Sequence, residues 1–201
     1  MLAVPQIGSA SLMFYSFSGT GIGYLGDEYF NTSYDIILTA DTANYGSDPV
    51  FGVPAFTDVQ GQITLNGIGT ATFLDPLILQ LWPAQETGIS FRDYNELQAT
   101  GIGEWLGVQS AQLNNTTLTE DIGPISLMHG DALTYSGYQL QTSMGGVFFD
   151  FNDFNTFQFQ SSSEPFTAVP ESPLWGIQAG AAALFISLSS VWKRRAHVLH
   201  F

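Results

Sequence analysis

The sequence predicts an all-β fold: an antiparallel β-sandwich domain, then a Pro/Ser linker and a single C-terminal transmembrane helix. Three observations predict it. Residues 11–160 consist of short β-branched and aromatic runs broken by Gly, Pro, Asn and Asp, the punctuation of antiparallel sheets. Leu174 to Trp192 is nineteen residues without a charge, a helix of roughly 28 Å at about 1.5 Å per residue. The charges are segregated: residues 1–171 carry 18 acidic side chains and one basic, Arg92, for a net −17. Residues 172–201 carry Lys193, Arg194 and Arg195 and no acid, for a net +3.

Residues 1–10 have no basic n-region and no apolar stretch of signal-peptide length. Two readings stand for them. The small residues Gly8, Ser9 and Ala10 suit the end of a signal peptide whose beginning lies upstream of Met1; alternatively the segment is disordered. Residues 11–160 are expected to form one acidic domain, long enough for a well-buried core. Charged residues are 11% of the chain and cysteine is absent, so the domain has neither disulfides nor thiol chemistry and relies on its core alone.

Within that domain Ser11–Phe17 alternates Leu12, Phe14 and Ser16 against Met13, Tyr15 and Phe17, the period of a strand. Tyr34–Thr39 is β-branched and aromatic. Gly61–Leu65 and Thr70–Leu74 flank Asn66-Gly67, which predicts a hairpin. Asp93–Gly107 is ambiguous and accommodates a helical turn. Val147–Gln160 places Val147, Phe149 and Phe151 on one face, a turn around Asn152–Asn155, and Phe157 and Phe159 on a returning strand. Residues 161–173 (SSSEPFTAVPESP) hold three prolines and four serines, the composition of an extended linker. Residues 174–192 are the predicted span, with Trp175 and Trp192 at its ends, where indoles prefer the headgroup level. Gly176 and Gly180 have GxxxG spacing, which composition alone also produces in so Gly/Ala-rich a run. Residues 193–201 are a basic tail, and Lys193, Arg194 and Arg195 act as a membrane stop that resists translocation, leaving the acidic domain outside.

The order Val169-Pro170-Glu171, Pro173, Trp175, an Ala/Gly-rich span and a basic cluster resembles the PEP-CTERM sorting segment of bacterial surface proteins. The likeness covers residues 169–195 plus the tail. Ser172 stands where that family has its second proline, here displaced to Pro173, and six residues follow the basic cluster. Residues 15–21 (YSFSGTG), Ile37–Thr42, Ile122–Ile125 and Gly145–Phe149 are similar to segments in the bodies of such proteins. The resemblance implies processing by an exosortase, a membrane-embedded cysteine protease, and a home at the cell surface or in exopolysaccharide.

Other chemistry is weighed against this frame. Gly21-Ile-Gly23-Tyr-Leu-Gly26 matches GxGxxG, but the acidic, strand-prone residues after it do not open the helix that receives a pyrophosphate. His129 with Asp131 lacks a nucleophile context, and a zinc-type ligand set is missing. Nothing singles out a carboxylate pair for glycoside hydrolysis. Asp150, Asn152, Asp153 and Asn155 offer hard oxygens to calcium, yet those residue types also serve a turn. Net −17 with one arginine is hostile to nucleic acid. The expectation is a non-enzymatic exported protein without a cofactor, anchored in the membrane and sorted by an exosortase. The alternative is a carbohydrate-binding module or glycan-active enzyme on the same anchor. Exposure of Trp82, Trp105 or tyrosines along a groove separates the two, since exposed rings stack on sugars and buried rings only support a scaffold. A tail-anchored intracellular protein is the third reading, and it requires Met1 to be the true start.

Overall fold

A computed structural model describes residues 11–83, 87–100, 105–127, 132–134, 139–150 and 156–166. The described residues are mostly strand and form a curled antiparallel sheet, so the all-β expectation holds. Its centre is a long hairpin of β1 (Leu12–Leu25) and β2 (Glu28–Asp41), in register from Leu12↔Asp41 to Leu25↔Glu28. Gly26, at φ 60°, opens the two-residue loop between them, the place where a hairpin loop wants glycine. The alternation read from Ser11–Phe17 runs the length of β1: Met13, Tyr15, Phe17 and Leu25 are buried, and Leu12, Phe14 and Tyr24 look outward.

β4 (Pro54–Leu65) joins the two halves of the sheet. Its second half pairs with β2 from Tyr34↔Leu65 to Thr39↔Gln60 and with β5 (Gly69–Thr72) across the predicted Asn66-Gly67 turn. Its first half lies between β3 (Tyr45–Ser47) and β6 (Leu77–Trp82). The two halves meet at a register shift between Phe56 and Val59, with Asp58 at φ 58°. This bulge changes the parity of the strand, so that Phe56 and Val59 both reach the core although they are three residues apart. Beyond β6 the sheet continues through β7 (Thr87–Asp93), β8 (Trp105–Ser110) and β10 (Ala132–Thr134). The ambiguous segment after β7 contains a seven-residue helix, α1 (Tyr94–Thr100).

On its other edge β1 meets the end of the domain. β13 (Thr156–Ser162) pairs with it from Thr20↔Thr156 to Phe14↔Ser162, and β12 (Gly145–Asp150) from Leu25↔Val147 to Ile22↔Asp150. The hairpin expected in Val147–Gln160 is therefore corrected: both strands run in one direction along β1, and neither returns against the other. Five residues, 151–155, intervene in sequence where β1 has only Gly21 between the paired positions. β9 (Ile122–Leu127) continues the sheet beyond β13, and β11 (Leu140–Thr142) beyond β12. Ser161 and Ser162, given to the linker by composition, are paired residues of β13, and the backbone N–H of Ser163 donates to Asp121 Oδ1 at 2.6 Å.

The core is aromatic. Phe17 lies 5.2 Å from Phe91 and 5.1 Å from Phe159 between ring centroids, so β1 and β7, from different halves of the curl, press together. Tyr34 and Phe30 flank Phe149 at 5.0 and 5.3 Å in T-shaped contacts. The Tyr15 hydroxyl donates to the Leu118 carbonyl, and burial, with the nearby Tyr45, pushes that phenol well above its ordinary pKa. Burying rings of this size stabilises by about 1.5–3 kcal/mol each. No helix among the described residues is long and apolar enough to cross a membrane. The predicted span and tail, residues 174–201, lie outside the described residues.

Candidate functional site

Outward-facing positions of β1, β2, β4 and β5 bring their side chains to one open surface. Cross-strand pairing puts Phe14 beside Thr39, Thr39 beside Gln60, Ile37 beside Gln62 and Gln62 beside Thr72. These residues line a groove of about 350 Å³, with Pro165 and Phe166 along its rim. That volume lies at the small end of ligand clefts, about 300–1,000 Å³. The strand period explains the lining, because every second residue of each strand must face this way. Gly61 belongs to the opposite parity, and a Cβ there would lie 2.4 Å from the Leu38 side chain; its absence lets β4 sit close against β2.

The groove has no formal charge among its lining residues, and its surface is mostly apolar, with Thr39, Gln60, Gln62 and Thr72 as its polar side chains. Among the described residues the side chains of Thr39, Gln62 and Thr72 make no hydrogen bond, and that of Gln60 only reaches Asp58 Oδ1 at 3.4 Å. Two acids of β2 flank the groove, Asp41 two positions from Thr39 and Asp35 two positions from Ile37. Partial burial pushes the Asp35 carboxyl above the ordinary carboxylate range, and the Ser16 hydroxyl, donating to Oδ1 at 3.1 Å, tempers the rise.

A second cluster lies on the other half of the sheet. Asp48 is almost fully buried, and its Oδ1 accepts the backbone N–H groups of Val50 and Phe51 at 2.6 and 2.9 Å. Its Oδ2 accepts the side-chain amide of the buried Gln80. Arg92, also buried, stands with its guanidinium 5.3 Å from the Phe51 ring and 5.5 Å from the Trp82 ring. Burial lowers the Arg92 pKa, and the Asp48 charge partly offsets that. Trp82 packs on Phe51 at 5.2 Å and donates its indole N–H to Ser90 Oγ at 2.8 Å. α1 closes the same side, with Leu97 packed on Ala55 and Ile78.

The discriminating rings therefore divide. Trp82 is held in this clamp, and Tyr15 and Tyr34 are core residues. Tyr24 and Tyr29 are exposed as a cross-strand T-shaped pair at 5.5 Å near the β1–β2 turn, and Tyr45 is exposed beside Phe56. The side chain of Trp105 lies outside the described residues. So do His129, Asp131, the sorting residues Val169, Pro170, Glu171, Pro173 and Trp175, the stop Lys193, Arg194 and Arg195, and the oxygen donors Asn152, Asp153 and Asn155. Asp150 ends β12, but its side chain is not described. Among the described residues no three His, Cys, Asp or Glu side chains are grouped to hold a metal ion.

The glycine-rich run Gly21–Gly26 lies in β1 and its turn, and β2 follows directly, so a strand occupies the place of a phosphate-binding helix. Gly21 and Gly23 are strand residues of β1. A Cβ on Gly23 would lie 2.0 Å from the Phe148 carbonyl oxygen, so glycine is required there for close approach. Sequence reasoning missed Phe14, Thr39, Gln60 and Gln62 as one surface, although the alternation of Gln60, Gln62 and Thr64 with apolar residues was the available signal.

In comparisons with known proteins, no family model, no curated protein and no solved structure matches this chain.

Proposed function

We propose that this chain is a non-enzymatic, exported surface protein of the PEP-CTERM type, with a β-sandwich body, anchored through residues 174–192 and processed by an exosortase. The observation that carries this reading is the ordered run of Val169-Pro170-Glu171, Pro173, Trp175, an uncharged nineteen-residue span and Lys193-Arg194-Arg195. The charge split adds to it, because basic residues stay on the cytoplasmic side and the acidic body lies outside the cell membrane. Facing of Phe17 and Phe91 across the curl supports the sandwich. After processing, the body is released or stays attached at the surface, within the exopolysaccharide matrix.

In a host with the protease the mature protein should be shorter than in a strain lacking it, where the long form stays with the membrane. Equal mature masses in the two strains would exclude exosortase processing and show that Ser172 in place of proline abolishes recognition. Protease added to spheroplasts should digest the body and spare an epitope placed after Phe201; protection of the body would restore the tail-anchored reading. A second reading, a surface-displayed carbohydrate-binding module, is favoured by one observation, the open uncharged groove over β1, β2, β4 and β5.

A further inference from the structure

We infer that the groove over β1, β2 and β4 is a binding site for a neutral oligosaccharide, held by Gln60, Gln62 and Thr39 against the apolar surface of Phe14, Ile37 and Phe166. This rests on the binding-module reading and is independent of the anchor.

The ligand class follows from what the groove offers and what it lacks. Two carboxamides and two hydroxyls supply donors and acceptors side by side, the combination that vicinal sugar hydroxyls require. Phe14, Ile37 and Phe166 supply apolar surface for the C–H face of a pyranose ring. An anion finds no partner here: Arg92 is the one basic residue of residues 1–171, and it is buried on the other half of the sheet. A metal cation is equally ill served, since no carboxylate lines the groove: Asp35, Asp41 and Asp58 all stand outside its lining. A peptide strand would need an unpaired sheet edge, whereas Phe14, Ile37 and Gln62 belong to strands whose backbones are paired on both sides. Shape agrees with chemistry, for the cleft is open to solvent.

The test uses the full chain in a zwitterionic detergent, because sugar-headed detergents would compete for the site. Cellohexaose, mannohexaose and maltohexaose are titrated by calorimetry, with a mannuronate hexamer as the anionic control. At least one neutral hexamer should bind with Kd of about 0.01–1 mM, and the uronate should not. Gln62→Ala and Gln60→Ala should each weaken that binding roughly three- to tenfold, and Phe14→Ala about tenfold or more. Thr70→Ala, exposed on β5 outside the groove lining, should change nothing. Gln60 and Gln62 are exposed, so their variants keep the test open if Phe14→Ala misfolds. Neutral-sugar binding that ignores Gln60 and Gln62 but falls in Tyr24→Ala would overturn the groove and leave the binding module standing. No binding by any neutral hexamer would overturn both, and preference for the uronate would overturn the ligand class. Light scattering that finds dimers dissociated by Gln60→Ala would assign the groove to a second copy of the chain and overturn the proposal.

Discussion

Among the described residues the outward face of the β1–β2–β4 half is uncovered and carries Ser, Thr and Gln with a few apolar side chains; that of the β6–β7 half is covered by the 48–53 loop and α1. Both faces obey the same two-residue period. On the covered side the period no longer separates buried from exposed, because Leu77 to Leu81 and Thr87 to Arg92 are buried on both parities. Polar groups there are tied up: Gln80 to Asp48, Trp82 to Ser90, and Arg92 between two rings near a carboxylate. On the open side the side chains of Gln62, Thr39 and Thr72 make no hydrogen bond among the described residues. A covered face tolerates polarity only when it is paired, and an open face is free to keep it for binding.

Substitutions rank this contrast. Arg92→Met leaves the Asp48 carboxylate buried without its neighbouring cation, and the full chain should lose about 3–5 kcal/mol in denaturant titrations. A loss under about 1 kcal/mol would mean that the covered face does not depend on charge compensation. Leu97→Ala removes the side chain by which α1 sits on Ala55 and Ile78, with an expected cost of about 2–4 kcal/mol. Gln60→Ala, on the open face, should stay within about 0.5 kcal/mol of the parent, and a larger effect would place the groove residues among the structural ones.

Asp35 gives a smaller effect with a sign fixed by linkage. Partial burial raises its carboxyl in the folded state, so folding favours the protonated form. The native state therefore loses stability as pH rises from the ordinary carboxylate value through the raised one, and the loss is complete above it. Asp35→Asn should melt higher than the parent at pH 7, and the advantage should vanish on acidification below about pH 3.5. An advantage independent of pH would point to packing instead of charge. Weakest of all should be the response to salt. With the basic residue of residues 1–171 inside the covered face, surface acids lack basic partners there, and sodium chloride should raise the melting temperature modestly up to about 0.15 M.

What was legible in the sequence was local. The Asn66-Gly67 turn fixes β4 against β5 within a few residues, and the alternation of Ser11–Phe17 fixes which side of β1 is buried. What was hidden depends on distant partners. Val147–Phe149 and Phe157–Phe159 look like two arms of a hairpin because a turn-rich stretch separates them, yet both answer to β1, at the far end of the domain. Gly23 is there to admit the Phe148 carbonyl, an approach set by a strand more than a hundred residues away. The Arg92 clamp joins residues from the 48–53 loop, β6 and β7, and no local pattern announces it. Membership of the groove required the register of four strands, which side-chain alternation alone does not supply.

Of the described strands, β1 is made first and completed last. Until Ser162 has left the ribosome, the edge of β1 that will receive β12 and β13 lacks its full set of partners, and part of its row of backbone N–H and C=O groups stands open over aromatic side chains. A chain cut short at any earlier codon would carry a sticky, unfinished ribbon, which invites self-association and removal by proteases. Closure by the final strands thus works as a check on completeness, and a chain held extended until synthesis ends is better placed to pass it than one that begins to fold from its N-terminus.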